Sequence, residues 1–358
     1  MRLLLRADAS HQIGTGHVMR CLALAQAWQD IGGHATLSTA ENAPGIRDLL
    51  EAEGVDVVRL STQPGADDDA VQTAETALRL GADWVVADGY RFGSRYQEIL
   101  KRMGCRLLFI DDYGHAGHYS ADVVLNQNLH ASEHLYADRE PYTRLLIGRP
   151  FLLLRREFLE WKGWERQISG AARRVMVTLG GSDPHNTTSR VIDALEQIDV
   201  EGLEVVVVVG ASNRHRDGLL AERRGSRLRI EFRDNVARMS ELMAWADVAV
   251  SAGGSTCWEM AFMGLPAVAI VLAENQRSIV CSLAESGAVV NAGWHSALSR
   301  DSLAALLTGL VREREARHRM SQRGRGLVDG LGAKRVAELL RLGPSTTKRG
   351  DGDCASSS

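Results

Sequence analysis

"RLLLRADASHQIGTGHVMRCLALAQAW", residues 2–28, decides the fold. An apolar run, Leu3 to Leu5, gives way to a polar loop holding two glycines. From Val18 onward apolar residues recur with helical period, with Val18, Leu22 and Ala25 on one face. Strand, glycine loop and helix in that order form the opening unit of a parallel α/β sheet. The beat repeats in "ATLST" (35–39), "VDVVRL" (55–60), "DWVVAD" (83–88) and "RLLFIDD" (106–112). It resumes in "RRVMVTLGG" (173–181), "LEVVVVVG" (203–210), "RLRIEF" (227–232), "DVAVSAGG" (247–254) and "LPAVAIVL" (265–272). The fold class expected is α/β, as two Rossmann-like doubly wound parallel-sheet domains facing a cleft. Residues 149–174 lose the alternation and gain charge, so the expected division is 1–150, a connection at 151–172, a second domain at 173–342 and a disordered tail at 343–358.

Composition narrows the function. A chain of 358 residues with 45% hydrophobic and 24% charged residues can bury two cores, and its net charge of -3 offers no footprint for nucleic acid or an anionic membrane. The five cysteines (21, 105, 257, 281 and 354) are scattered and never spaced CxxC, which argues against a disulfide framework and a zinc site. No basic leader precedes the first strand, and no apolar run reaches the ~18 residues of a membrane span. The expectation is a cytoplasmic protein without membrane insertion, metal or cofactor; the sequence leaves its oligomeric state open, with a monomer favoured.

Ligands of open parallel sheets bind beyond the carboxyl ends of the strands. Gly14 and Gly16 let the first loop approach a ligand, and His17 falls in the first turn of the following helix. There it is either a general base kept neutral by the positive helix end, or a cap. In "TLGGSDPHNTT" (178–188), Gly181 and Ser182 offer a phosphate edge, with Asp183 able to cap a helix starting near Pro184 or Asn186. In "VSAGGSTCWEMAFMGLP" (250–266), Gly254, Ser255 and Thr256 offer a second. Glu259, three residues past Thr256, fits either a ribose contact or a capping box. Two phosphate-type loops opposite a histidine loop suggest a diphosphate-linked ligand held between the domains.

Several residues stay open. Arg6 and Asp8 either brace a loop or touch a sugar. Asp111 and Asp112, adjacent at a strand end, point apart, which favours structural or sugar-contacting roles over metal binding. Asp88, Tyr90 and Tyr113 are placed to line a sugar pocket, and polar loop packing explains Asn126 and Asn128.

The segments "RADAS", "IGTGHVMRCLALA", "FIDDYG", "GGSDPHN", "SAGGSTCWE" and "ENQ" resemble, in order and spacing, the UDP-sugar hydrolases of pseudaminic acid biosynthesis. These are relatives of the lipid II-forming N-acetylglucosaminyltransferase, with its glycosyltransferase-B fold. The resemblance implies His17 as general base, Asn275 as a second catalytic residue with Gln276 at the substrate, and Glu259 on the ribose. It puts uracil near Phe232, Arg233 and Asn235, within "RIEFRDNVARMSELMAWADV" (229–248). It names UDP-2,4-diacetamido-2,4,6-trideoxy-β-L-altropyranose and water as substrates. The products would be free inverted sugar and UDP. An inverting UDP-sugar transferase or a non-catalytic nucleotide-sugar binder would keep the same second-domain loops.

Overall fold

The computed structural model describes residues 1–10, 13–41, 45–210, 213–222, 226–234, 236 and 238–343. Asn235 and the tail from residue 344 lie outside the described residues.

The first sheet comprises β1 (Arg2–Ala7), β2 (His34–Thr39), β3 (Asp56–Arg59), β4 (Trp84–Asp88), β5 (Leu107–Ile110), β6 (Val123–Asn126) and β7 (Arg144–Ile147). They lie in the order β3-β2-β1-β4-β5-β6-β7, all pairs parallel. The second comprises β8 (Arg174–Thr178), β9 (Glu204–Val209), β10 (Arg229–Asp234), β11 (Val248–Ala252), β12 (Ala267–Val271) and β13 (Val290–Trp294). Its order is β10-β9-β8-β11-β12-β13, again parallel. The continuous apolar runs follow from burial on both faces. Leu3 and Leu5 enter one core while Leu4 enters the core on the other side of the sheet, and Val175 and Val177 are divided in the same way from Met176. In both sheets the strand order reverses at the first strand, between β1 and β4 and between β8 and β11, which sets the crevice for a ligand there.

The connection is packed into both domains: Leu153 lies in the first-domain core, whereas Leu152, Leu154 and Phe158 lie in that of the second. The helix Gly332–Leu342, assigned from the sequence to the second domain, returns to the first. Its Ala333, Val336, Ala337 and Leu340 join the β1 core, and Trp84 Nε1 donates to the Leu340 carbonyl at 2.9 Å. This second cover explains why the helix Gly16–Asp30 is apolar beyond one stripe, burying Cys21, Leu24 and Trp28 as well as Val18, Leu22 and Ala25. The four described cysteines are free.

Candidate active site

The loops following β1, β4, β8 and β11 converge on a cavity of about 440 Å³ between the domains. Gly14 takes φ +73°, a left-handed turn closed by the Gly14 amide donating to the Ser10 carbonyl at 2.9 Å. The domains touch at this mouth. A Cβ on Gly181 would lie 3.1 Å from Thr15 Cγ2, and one on Gly16 would lie 3.8 Å from Ser255 Oγ. A side chain at Gly181 would push the two loops apart.

His17 stands in the first turn of its helix, 6% exposed, and lines the cavity. Its Nδ1 is 2.7 Å from Asp88 Oδ1. Arg20, three residues on and so on the same helix face, donates to both Asp88 oxygens and to Asp112 Oδ1 at 2.6 Å. Nδ1 faces the Asp88 carboxylate at 2.7 Å and the Arg20 Nη2 donor at 3.1 Å; with the shorter contact as the hydrogen bond, Nδ1 donates to Asp88 and Nε2 is the nitrogen left to accept a proton. Burial opposes charge on Arg20, but Asp112 and Asp88 raise its pKa above the ordinary value. Burial likewise opposes the Asp112 carboxylate, and Arg20 holds it far below the usual range. Burial, then Asp112, pushes up the Tyr90 phenol, which stays protonated and donates to Asp112 Oδ2 at 2.7 Å. Its oxygen accepts from Asn275 Nδ2 at 2.9 Å, a bond between the domains, and its ring meets that of His17 edge-on at 4.6 Å.

On the second-domain side, Gly181, Ser182, Gly254, Ser255, Thr256, Glu259, Asn275 and Gln276 all line the cavity. Asp183 caps the helix Thr187–Leu195, accepting from the Thr187 and Thr188 amides at 2.9 and 2.8 Å. Those two amides are therefore taken. Glu259 is no capping box. Its Oε1 accepts from Arg155 Nε and Nη2 at 2.9 and 2.8 Å. The Gln276 carboxamide oxygen accepts from the Leu272 amide at 2.9 Å, which fixes that side chain at the cavity wall.

Three expected site residues stand elsewhere. Asp8 pairs with Arg6 at 2.8 Å and accepts from Thr39, Ala40 and Glu41, all at Oδ1, which braces the loop after β2, and it is not among the residues that line the cavity. Arg6 is buried beneath it on Asp69. Phe232 packs against the second-domain core, and Arg233 is exposed on Glu231, so Val236 and Met239 are what this segment brings to the cavity. Asp111 and Asp112 do diverge: Asp111 accepts from the Tyr113 and Gly114 amides and from Tyr119, away from the Arg20 network. Asn128 donates to Asp112 Oδ1, Asn126 to the Asp112 carbonyl, and Tyr113 is exposed beside Tyr90. The sequence reading missed Arg20 and Arg155. The three-residue offset from His17 could have indicated Arg20; nothing local marks Arg155. Among the described residues no group of three His, Cys, Asp or Glu could hold a metal ion, and no helix is long and apolar enough to cross a membrane.

Residues 174–340 match the glycosyltransferase family 28 C-terminal domain. Acinetobacter baumannii MurG superposes over 95% of this chain and 99% of its own, with a TM-score of 0.63 at 17% identity. The S. aureus MnaA co-structure with UDP superposes over 94% of this chain and 95% of its own, with a TM-score of 0.67 at 12% identity. The fold is glycosyltransferase-B-like. Among curated relatives, the Bacillus subtilis spore coat polysaccharide biosynthesis protein SpsG is 27% identical over 202 residues, 56% of this chain and 58% of its own length. A Methanocaldococcus jannaschii protein without an assigned function is 25% identical over 283 residues, 77% of this chain and 57% of its own. The chain thus spans little more than half of these two relatives. The UDP-2,4-diacetamido-2,4,6-trideoxy-β-L-altropyranose hydrolase of Campylobacter jejuni is 23% identical over 292 residues, 80% of this chain and 97% of its own, in keeping with the motif resemblance.

Proposed function

We propose that this glycosyltransferase-B-like chain is a UDP-sugar-processing enzyme that hydrolyses a UDP-linked diacetamido-trideoxy sugar of the pseudaminic acid type, without a metal ion. One observation carries the reading: a histidine oriented by Asp88 faces two glycine loops of the other domain across a shared cavity. UDP docks on the second domain, its diphosphate at Gly181, Ser182, Ser255 and Thr256, and the sugar projects toward His17. Water attacks the anomeric carbon from the face opposite UDP. The bond from that carbon to the diphosphate oxygen breaks, its electron pair leaving with UDP, while the water proton passes to His17 Nε2 and then to solvent. The sugar leaves with inversion. A positioned base contributes about 10²–10⁴-fold, and backbone amides stabilising the departing diphosphate supply further acceleration.

Transfer to an acceptor is the second reading, favoured by the family 28 match over residues 174–340. Incubating the protein with a panel of UDP-sugars and no acceptor separates the two. Hydrolysis releases UDP and free sugar at a catalytic rate. Release that begins only when an acceptor is added overturns it.

A further inference from the structure

Arg155 belongs to neither glycine loop. It sits on the connection between the domains, one residue before the helix Arg156–Leu159, yet it is 9% exposed and lines the cavity. Its guanidinium is divided between two carboxylates: Nε and Nη2 hold Glu259 Oε1 at 2.9 and 2.8 Å, and Nη1 holds Glu157 Oε1 at 2.7 Å. Glu157 is tied in turn to the second domain, its Oε2 accepting from the Ser240 amide at 3.1 Å. Among the described residues nothing bonds Glu259 Oε2.

Resting on the UDP-sugar reading above, we propose that Arg155 is the positioning residue for the nucleotide's ribose, gripping Glu259 by one oxygen so that the other meets the ribose hydroxyls. An ionised carboxylate oxygen held in a fixed orientation accepts two charge-assisted hydroxyl hydrogen bonds, whereas the protonated group is in part a donor and has lost that assistance. The groups facing Glu259 are Arg155, Glu157 and Cys257. Burial raises the Glu259 pKa, Glu157 adds to the rise, and Arg155 is the one cation opposing them. Without that cation the carboxyl takes up a proton nearer neutrality, and a neutral carboxyl loses charge-assisted acceptance from the ribose.

The test measures the Kd of UDP and of 2′,3′-dideoxy-UDP by calorimetry, for the native protein, Arg155→Gln and Arg155→Lys, between pH 6 and 9. The native protein prefers UDP over the dideoxy nucleotide by about 10-fold or more, as expected for hydrogen bonds to a charged group. Arg155→Gln loses most of that preference at pH 6 and regains part of it toward pH 9. Taking the ratio of the two nucleotides cancels the titration of the diphosphate, which both share. Arg155→Lys restores the charge, and with it the flat pH profile, while keeping a weaker preference because an ammonium cannot reproduce the fork. A ribose preference in Arg155→Gln equal to that of the native protein at every pH overturns the inference. So does a native protein that binds both nucleotides equally, a result that stands even if the variants fold poorly. A native protein that binds no UDP overturns the nucleotide reading itself, and the inference with it.

Discussion

His17 Nδ1 lies 2.7 Å from Asp88 Oδ1, on an acceptor that Arg20 and the end of β4 hold in place from behind. The pair fixes which ring nitrogen faces the cavity. Asp88→Asn can present an amide hydrogen instead of an acceptor, which reverses the tautomer and turns the basic nitrogen away. UDP release should fall about 10²–10⁴-fold with UDP affinity preserved. The variant should also melt earlier, because Arg20 keeps its charge and loses a buried partner.

His17→Leu removes the base and leaves every second-domain contact in place. Turnover should drop by about 10²-fold or more while the Kd for UDP, measured by calorimetry, stays within a factor of about three. An active, folded variant refutes the assignment.

Reaction in ¹⁸O-water should place the label on the sugar, because attack is at carbon, and early NMR spectra should show the inverted anomer. Label in UDP refutes the proposed geometry. Excess EDTA should leave the rate unchanged.

Leu340→Ala should destabilise the protein by about 2–5 kcal/mol in urea unfolding. The residue is 1% exposed and buried in the core of β1, far along the chain from the strands it covers. Hydrogen exchange should quicken in β1 and β4 before it quickens in β8.

His115 Nδ1 lies 3.1 Å from Asp111 Oδ2. Burial opposes charge on both, yet Asp111 raises His115 above 6.5 and His115 helps lower Asp111 below 3.8. A raised histidine stabilises fully below its unfolded pKa and loses that contribution as pH rises through the folded value. A lowered aspartate loses its contribution as pH falls. The pair therefore stabilises most between roughly pH 4 and 6.5. The melting temperature of the native protein relative to His115→Asn should decline from pH 6 to 8.5, and a flat difference refutes the coupling.

The long strands and the glycine loops were readable because each is spelled out locally: an apolar run, a loop with glycines, then helical period. β6, β7 and β13 were not. They are no shorter than β3, β5 or β12, but each leads into a 3₁₀ turn (Glu133–Tyr136, Arg149–Phe151 and His295–Ala297) instead of a glycine loop and an α-helix, and they hold strand geometry through pairing with β5, β6 and β12. At the site, His17 and the second-domain loops were placed by their neighbours in sequence. Asp8, Phe232 and Arg233 stand off the cavity because a side chain near a strand end goes where its packing and polar partners draw it. For Asp8 those partners are the amides of Ala40 and Glu41 on the loop after β2. Arg155 and Glu259 are 104 residues apart, and no local pattern signals that bond.

The returning helix Gly332–Leu342 also sets the order of events during synthesis. β1 through β7 leave the ribosome first, but the surface around Trp84 and the helix Gly16–Asp30 gains its cover only after the whole second domain has been translated. Until then the nascent first domain carries an apolar face, which a chaperone or a misdirected neighbour can occupy. A fragment cut at residue 150 lacks the helix that covers that face.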